Sequence, residues 1–441
     1  MPKGLRACEL RFNDALLTHF GGMVLIHRFC KQLRVRWLLQ KYLTVPRRPD
    51  DYAPTDVVMA MLYAIIAGLR RINKTDILQY NGTFLSLLGL HGFPDQTTLR
   101  RFLKRLSAAS IRQIVGLHDQ LRQRLLCVPH VPTTLIFDLD SVVLTLYGKQ
   151  QFARIGYNPK KHGRRSYHPL LCFEERRQEF WHATLRPGDA GVNTGAIAFL
   201  RRCLTKTPYS IARRRIRVRA DAGFFSGRLF DFLEQQGLGY VVVARQHPGI
   251  RAQAQAARFH ALRHGWAVGQ FTYGAPKWKH PRRFIVVRRP LPEDPAEAAQ
   301  LKLFADQRYA YAVLVTNLRL APWRVWRFYC PRATVEKHIR ELLYDLPLGK
   351  IPTDAWMANV AFFHLVLFAY DLVHWFKRLC LPPEYLHATL ETVRTDLLVL
   401  PARLVRRGGR NILQLPRDYH HRDMFMAAYK KAGRVRFPPK S

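Results

Sequence analysis

Four acidic residues along the 441-residue chain have the spacing of metal-ligating carboxylates. Asp138 and Asp140 are two residues apart in an otherwise apolar strand pattern, which puts both on one face of that strand. Asp221 directly follows another strand pattern, and ligands bind at the carboxyl ends of strands in α/β sheets. Glu336 falls on a helical pattern that begins near residue 331. Converging carboxylates in a basic protein predict a hard divalent cation, Mg²⁺ or alternatively Mn²⁺, with substrate phosphates as further ligands.

Each of these carboxylates also has a purely structural interpretation. Asp138 and Asp140 can form salt bridges with some of the many arginines. Asp221 can form a turn or cap a helix, and Glu336 can pair with Arg340 four residues later. The joint pattern of acids favours the catalytic interpretation over these separate ones.

The elements that must position the acids are predicted from hydrophobic periodicity. From residue 133 the pattern alternates, with Leu135, Phe137 and Leu139 on the face opposite Asp138 and Asp140. The predicted elements, in order, are strands 133–146, 167–173 and 178–184, helix 193–204, strand 215–220, helix 226–236 and strand 240–244. This β-β-β-α-β-α-β order predicts an α/β fold with a ribonuclease-H-like core.

Other segments complete the predicted architecture. Residues 1–127 have helical periodicity and are predicted to form an N-terminal helical DNA-binding domain. Residues 246–325 alternate strand-like runs with Pro-rich connections and predict a mostly β insertion. The core begins at 128–245 and resumes with helices at 326–385, and the basic segment 386–441 is predicted to be an extended C-terminal arm.

The charge of the chain indicates its class of partner. There are 71 Lys and Arg against 31 Asp and Glu, a formal net charge of +40, which requires a polyanion such as nucleic acid or an acidic membrane. The most apolar stretch, 355–376, is interrupted by polar side chains and predicts a buried helix rather than a membrane span. No signal peptide is recognised, and the seven cysteines include no C-x-x-C pair. We expect a cytoplasmic, nucleoid-associated protein without a membrane partner.

Basic side chains concentrate in two segments. Asp95 is a predicted N-cap, and the helix after it has one apolar face and one basic face. The basic face contains Arg100, Arg101 and Lys104. Such a helix suits DNA recognition, although an ordinary surface helix has the same pattern.

The second basic segment is a loop near Tyr157 and Tyr167, a composition suited to backbone contact and base stacking, or to a solvated loop. Its cations are Lys160, Lys161, Arg164 and Arg165. Further along, Trp278 lies between two lysines and could stack on a flipped base, although a core position is the commoner role of such a tryptophan.

Three motifs resemble the DDE transposases of bacterial insertion sequences, specifically those with a β-strand insertion before the catalytic Glu. The first is Leu-Ile-Phe-Asp-Leu-Asp-Ser at 135–141, and the second is Val-Arg-Ala-Asp-Ala-Gly-Phe at 218–224. The third is a helix signature in which Tyr329 and Arg332 precede Glu336. The resemblance spans residues 54 to about 415, and the second motif is the most specific.

The resemblance implies an enzyme that cuts DNA at the ends of its element and joins the 3′-hydroxyls to target DNA. It implies that Asp140, Asp221 and Glu336 are the catalytic metal ligands, and that Tyr329 and Arg332 contact phosphate near the scissile bond. Two metal ions held by carboxylates suit such endonuclease and transfer steps. The family also implies a homodimer that holds two element ends in a synaptic complex.

Two positions depart from the family pattern. Val142 stands where the first motif usually has Thr, and Leu343 stands where the helix signature has Lys. Asp138 is the alternative first ligand to Asp140. These departures leave two rival hypotheses open: a non-catalytic DNA-binding protein on the same scaffold, and a nuclease without strand transfer.

Overall fold

The structure is a computed structural model that describes residues 10–46, 52–128, 130, 132–245, 247–291 and 309–436. The chain forms two compact units. The first comprises Met1–Leu117, Tyr344–Thr353 and Met357–Arg436, and the second is formed mainly by His118–Leu343 and Asp354–Trp356. The four candidate carboxylates all belong to the second unit.

The strands of the described residues form one large sheet and two small ones. In chain order they are β1 Leu17–Thr18, β2 Leu135–Ser141, β3 Leu144–Thr145, β4 Arg154–Ile155, β5 Arg165–Tyr167, β6 Leu170–Glu174, β7 Glu179–Thr184, β8 Ile216–Ala220, β9 Gly239–Val243, β10 Phe259–Ala261, β11 Ala267–Tyr273, β12 Arg282–Pro290, β13 Tyr309–Thr316, β14 Ala402–Arg407 and β15 Arg410–Gln414.

The α-helices of the described residues are α1 Met23–Gln32, α2 Val35–Tyr42, α3 Pro54–Ile66, α4 Gly82–Leu87, α5 Gln96–Arg105, α6 Ala108–Leu126, α7 Ala196–Thr205, α8 Gly227–Gln235, α9 Pro248–Ala256, α10 Pro322–Tyr329, α11 Thr334–Tyr344, α12 Trp356–Cys380, α13 Leu390–Val393 and α14 Arg422–Ala432. Short 3₁₀ and π turns connect several of them.

The second unit is built on a nine-stranded sheet of order β10-β11-β12-β13-β9-β8-β2-β6-β7. β2 pairs antiparallel with β6, and β6 pairs antiparallel with β7. On its other side β2 runs parallel to β8, which runs parallel to β9. Three antiparallel strands followed by two parallel ones, in the order 3-2-1-4-5, form the ribonuclease-H-like core that the sequence predicts.

The insertion extends this same sheet. β13 pairs antiparallel with β9, and β12, β11 and β10 follow outward in turn. The insertion also contains a helix, α9, which periodicity did not indicate. Pairing β13 with β9 covers what would otherwise be an exposed sheet edge.

Alternation along β2 separates the core from the chemistry. Leu135, Phe137 and Leu139 are buried in the hydrophobic core with residues of α7, α8 and the neighbouring strands. Trp181 on β7 packs against Phe137, and its indole N–H donates to the Cys203 carbonyl 2.9 Å away. The opposite face of β2 therefore carries Asp138 and Asp140 at fixed positions.

The first unit is mainly helical. α5 begins after Asp95, whose carboxylate accepts hydrogen bonds from the backbone N–H groups of Thr97 and Thr98, as predicted for an N-cap. α12 is long and apolar enough to cross a membrane by length and composition. Most of its side chains are buried, and this confirms the prediction of a buried helix.

The C-terminal segment does not form the predicted extended arm. β14 and β15 form a hairpin, and β14 also pairs with β1 near the N-terminus. The closing helix α14 packs on α1, where Arg28 donates to the Tyr429 hydroxyl and lies over its ring. The arginines of this segment suggested an arm, but Gly408-Gly409 at positive φ forms the two-residue turn of a hairpin, and β1 adds to it from almost 400 positions earlier.

Candidate active site

Asp138 and Arg219 form a buried ion pair inside the sheet. Arg219 Nε lies 2.6 Å from Asp138 Oδ1, and its Nη2 lies 2.7 Å from Oδ2. The two residues are direct partners in the parallel β2–β8 register, and both are fully buried. Arg219 Nη1 also donates to the Phe328 carbonyl at 2.8 Å, which ties the end of α10 to the sheet. The structural interpretation of Asp138 is therefore the one that the geometry supports.

Asp140, Asp221 and Glu336 converge on a single guanidinium, that of Arg332. Arg332 Nη2 lies 3.2 Å from Asp140 Oδ2 and 3.9 Å from Asp221 Oδ2. Its Nη1 donates to Glu336 Oε1 at 3.3 Å. The three carboxylates that the sequence singled out thus lie around one positive group.

The three carboxylates differ in their access to solvent. The side chain of Asp140 is 12% exposed, that of Asp221 is 41% exposed and that of Glu336 is 60% exposed. Asp140 is the residue before the last one of β2, and Asp221 directly follows β8. Both therefore lie at the same edge of the sheet. This gradient leaves the cluster buried on one side and open on the other, as a site for a large substrate requires.

Asp221 also has the turn role that was its alternative. Its Oδ1 accepts a hydrogen bond from the Gly223 N–H at 2.9 Å and caps a 3₁₀ turn over Ala222–Phe224. A Cβ at Gly223 would lie 2.9 Å from Asp221 Oδ1 and 2.8 Å from Val192, so only glycine fits there. The cap fixes one oxygen of Asp221 while the other faces Arg332.

Three consecutive helical segments present Tyr329, Arg332 and Glu336. Tyr329 ends α10, Arg332 lies in a 3₁₀ turn over Cys330–Ala333, and Glu336 lies in the first turn of α11. The sequence predicted one helix from about residue 331, whereas helical structure begins at Pro322. Pro331 lacks an N–H, which explains why the chain passes through a 3₁₀ turn here rather than one straight helix.

Burial raises the pKa of both neighbouring aspartates to about 6, and they differ in the cation that opposes this shift. Burial raises the pKa of Asp140 to about 6, against the opposing charge of Arg332. Burial also raises the pKa of Asp138, and the hydrogen bonds and charge of Arg219 oppose this. Asp138 has a bidentate partner of its own, whereas Asp140 shares one cation with two other carboxylates.

The aspartates of the cluster also shift the pKa values of Arg332 and Tyr329. Burial lowers the pKa of Arg332, but Asp140, Asp221 and other neighbours outweigh it, and the pKa lies above its ordinary value. Burial raises the pKa of Tyr329 to about 12, with contributions from the same aspartates. The Tyr329 hydroxyl therefore keeps its proton at neutral pH and can donate a hydrogen bond.

The carboxylate set fits a hard divalent cation. Carboxylate oxygens are the ligands that Mg²⁺ and Mn²⁺ take in proteins. Arg332 Nη2 is buried and makes no hydrogen bond with any described residue, so its contacts with Asp140 and Asp221 are purely charge contacts. The inward oxygens of these two aspartates both lie within 4 Å of this nitrogen and are not saturated by hydrogen bonds from Arg332.

A second acidic group in the same unit is already neutralised. Asp231 and Glu234 lie near His280, at a spacing that could hold a metal ion. Arg282 Nη2 lies 2.5 Å from Asp231 Oδ1, and its Nε lies 2.9 Å from Glu234 Oε1. This group has the character of a structural ion-pair network.

The predicted DNA-contacting residues have different surroundings. Lys160, Lys161, Arg164 and Arg165 are all exposed. On α5, Arg101 and Lys104 are exposed, whereas Arg100 is half-buried and donates to Gln96 Oε1 and the Pro352 carbonyl. The loop cations belong to the second unit and the α5 cations to the first.

Two aromatic residues named in the sequence have packing roles. Tyr167 is fully buried and donates to the Gln151 carbonyl at 2.6 Å. Trp278 packs with Phe230 and stacks on Phe284 against the core, which supports its core interpretation over base stacking.

Sequence reasoning did not identify Arg219 as the partner of Asp138. A signal was present: Asp138 precedes Asp140 by two residues, and Arg219 precedes Asp221 by two residues. On adjacent parallel strands these equal offsets place Asp138 opposite Arg219 when Asp140 and Asp221 lie at the same edge. The helix predicted from residue 193 begins at Ala196, and the Asn193 side chain donates to the Gly223 carbonyl at 2.7 Å.

The fold and the carboxylate cluster define a ribonuclease-H-like protein with an acidic site at the carboxyl edge of its sheet. The sequence profile of the family described as Transposase DDE domain group 1 matches residues 2–436. The chain therefore belongs to this family of DDE transposases.

Two further comparisons complete this result. One matching solved structure is the cryo-EM structure of piggyBac transposase synaptic complex with hairpin DNA, at 12% identity and a TM-score of 0.39, over 83% of this chain and 77% of that chain. No curated protein matches the sequence.

Proposed function

We propose that the protein is a catalytically competent DNA transposase that cuts the ends of an insertion sequence and transfers the 3′-hydroxyl ends to target DNA. One observation carries this proposal: Asp140, Asp221 and Glu336, distant in sequence, all lie within 4 Å of one guanidinium at the carboxyl edge of the sheet. A protein that only bound DNA would have no need to gather three acids on a basic surface.

The proposal gives each residue of the cluster a role. Asp140, Asp221 and Glu336 hold Mg²⁺ or Mn²⁺, which when bound activates the attacking hydroxyl and stabilises the leaving oxygen. Arg332 offers a planar guanidinium suited to a phosphate oxygen. Tyr329 keeps its proton and can donate to the same phosphodiester. These last two residues hold the scissile phosphate against the carboxylates.

The basic surface of the chain supplies affinity for DNA. With a formal net charge of +40, the protein neutralises backbone phosphates at many positions, and binding should weaken as salt rises. We propose that Lys160, Lys161, Arg164 and Arg165 contact the backbone in the second unit. α5, through Arg101 and Lys104, contributes contacts from the first unit, with Arg100 supporting its position.

Assembly and location follow from the proposed reaction. A homodimer would hold two element ends in one synaptic complex, and the protein would act on DNA in the cytoplasm at the nucleoid. Size measurement in the presence and absence of end DNA tests this step separately from cleavage.

The decisive experiment measures cleavage and joining of labelled DNA that carries the element ends, with Mg²⁺ or Mn²⁺. We expect Asp140→Asn, Asp221→Asn and Glu336→Gln each to lower the cleavage rate by about a thousandfold or more, because each removes a ligand charge. Salt-dependent DNA binding should remain. Asp423→Asn, which changes an exposed acid in the first unit, is the matched control and should leave cleavage unchanged.

The rival functions give different results in the same assay. A wild-type protein that binds the ends but never cuts them with either metal would establish the binding-only hypothesis. Cutting without joining would establish the nuclease hypothesis. Loss of cleavage in Asp138→Asn with full activity in Asp140→Asn would show that the first ligand is Asp138.

A further inference from the structure

A surface in the second unit combines exposed aromatic rings with exposed cations. We define the basic aromatic surface as Tyr147, Tyr157, Lys160, Lys161 and Arg164, carried by the three-stranded sheet β3-β5-β4 and its loops. Tyr147 is 75% exposed and Tyr157 is 73% exposed. Among the described residues, neither ring stacks on another aromatic side chain. Exposed rings and cations on one small sheet and its loops offer stacking faces and positive charge to the same ligand.

The charge of the segment that carries the basic aromatic surface favours an anionic ligand. Residues 142–173 contain no Asp or Glu, whereas Lys149, Arg154 and Arg165 add to the cations of the surface. A polyanion is the complementary partner. The proposed function supplies DNA as that polyanion.

The rings indicate which form of DNA the surface takes. Bases within a duplex are stacked on each other, and their faces are not available to a side chain. Unpaired bases expose these faces, and stacking on an aromatic ring stabilises binding whatever the base. Phosphate contacts alone would require only the cations, so the tyrosines favour an unpaired strand over a duplex.

The loops that carry the rings are held on an ordered framework. Asn158 is buried, donates to Thr145 Oγ1 at 3.0 Å and accepts from the Lys161 N–H at 3.1 Å. Gly156 lies so close to Gly188 that a Cβ there would be 2.0 Å from its carbonyl oxygen. By contrast, Phe152 packs edge-on against Trp356 and belongs to this framework. A loop backbone that is already ordered loses less conformational entropy on binding.

The surface is continuous with the carboxylate site along the chain. β2 ends at Ser141, and the strand β3 that leads to Tyr147 begins at Leu144. Ser141 is also tied to His168, whose Nε2 lies 3.1 Å from Ser141 Oγ, and His168 directly follows β5. The sheet that carries the rings is thus anchored beside Asp140.

We propose that the basic aromatic surface binds unpaired nucleotides of a DNA strand whose neighbouring phosphodiester lies at the carboxylates, with Tyr147 and Tyr157 stacking on bases. This inference rests on the proposed function, because it assumes that DNA is the substrate at Asp140. It goes further because it identifies two tyrosines as binding residues and single-stranded DNA as the form of the ligand.

The test uses the full-length protein and two labelled oligonucleotides, a blunt duplex and the same duplex with a short thymidine overhang. We expect tighter binding of the overhang DNA, and a loss of about 5- to 150-fold of that binding for each of Tyr147→Ala and Tyr157→Ala. Duplex binding and its salt dependence should stay unchanged. Tyr147→Phe and Tyr157→Phe should retain the preference. Tyr209→Ala, which removes a fully exposed tyrosine of the same unit, is the matched control.

Other results separate this inference from the proposed function. If the wild type cuts element ends but binds both oligonucleotides equally, the inference is wrong and the transposase proposal stands. If the alanine variants lose duplex and overhang binding equally, the tyrosines act through folding and the inference is wrong. If the wild type binds neither oligonucleotide, both proposals fail.

Discussion

Asp138 and Asp140 lie two residues apart on one face of β2, but their surroundings are opposite. Asp138 is fully buried and receives both of its hydrogen bonds from one arginine at 2.6 and 2.7 Å. Asp140 Oδ2 lies farther from its arginine, 3.2 Å from Arg332 Nη2, and shares this arginine with the more exposed Asp221 and Glu336. The first pair has no capacity left for another cation, whereas the second cluster has three negative charges against one positive. One carboxylate of the strand is thus neutralised inside the sheet, whereas the other lies in an acidic cluster that is open to solvent.

The largest expected effect concerns the stability of the buried pair. Asp138→Asn leaves the Arg219 charge buried without a counter-ion, so we expect the free energy of unfolding to fall by about 3–5 kcal/mol in urea titration. Asp140→Asn should cost less than about 1 kcal/mol. Equal losses for the two variants would contradict the comparison.

A double replacement sharpens this prediction. Asp138→Leu combined with Arg219→Met removes both charges, and we expect it to recover part of the stability lost by either single change. Recovery will be incomplete because Arg219 also donates to the Phe328 carbonyl. A double variant as unstable as the sum of the singles would mean that the two side chains act independently.

The next effect is the response to metal. Mn²⁺ at 100 times its dissociation constant should stabilise the wild type by about 2.7 kcal/mol if it binds only the folded state. The shift in melting temperature should disappear in Asp140→Asn and persist in Asp138→Asn, whose lower starting stability does not affect the comparison. A shift that survives in Asp140→Asn would place the metal elsewhere.

The smallest effect concerns a third buried acid next to β2. Glu174 pairs with Phe137 in the β2–β6 register and accepts backbone N–H groups from Ile136 at 3.0 Å and Arg177 at 2.8 Å. Burial raises its pKa from 4.5 to about 7. The folded state therefore holds a proton that the unfolded state releases, and stability should fall as pH rises from about 4.5 through 7.

Glu174→Gln tests this pH dependence. Between pH 5 and 8, the unfolding free energy of the variant should fall by on the order of 2 kcal/mol less than that of the wild type. Urea titration at each pH measures this difference. The absolute stability can also change, because an amide nitrogen then faces a backbone N–H. An identical slope in variant and wild type would show that Glu174 is ionised throughout.

The sequence predicted where the strands and helices lie better than it predicted which strands pair with each other. Period-two alternation located the core strands, and Pro-rich connections indicated the β insertion, because these signals are local. The same signals could not show that β13 would pair with β9 and extend one continuous sheet. Helical periodicity placed Glu336 on a helix but missed α10, where the aromatic and basic residues before Pro331 obscure the pattern.

The basic C-terminal segment shows the same limit. Its arginines and glycines resemble those of a solvated arm, and composition contains no information about pairing. Gly408-Gly409, both at positive φ, was a local signal for its hairpin, whereas the pairing of β14 with β1, close to the other end of the chain, had no such signal. Strand pairing at such separation depends on tertiary structure that no local pattern specifies.

The sequence by itself determined the family, the acidic residues at the ends of strands and the need for a polyanionic partner, because motif order and net charge are properties of the chain alone. Only the tertiary structure decided which aspartate is neutralised by its own arginine and which joins the acidic cluster. Asp138 and Arg219 are 81 residues apart, and their contact depends on the register of two parallel strands. Burial and pairing, rather than residue type, give two identical carboxylates different roles.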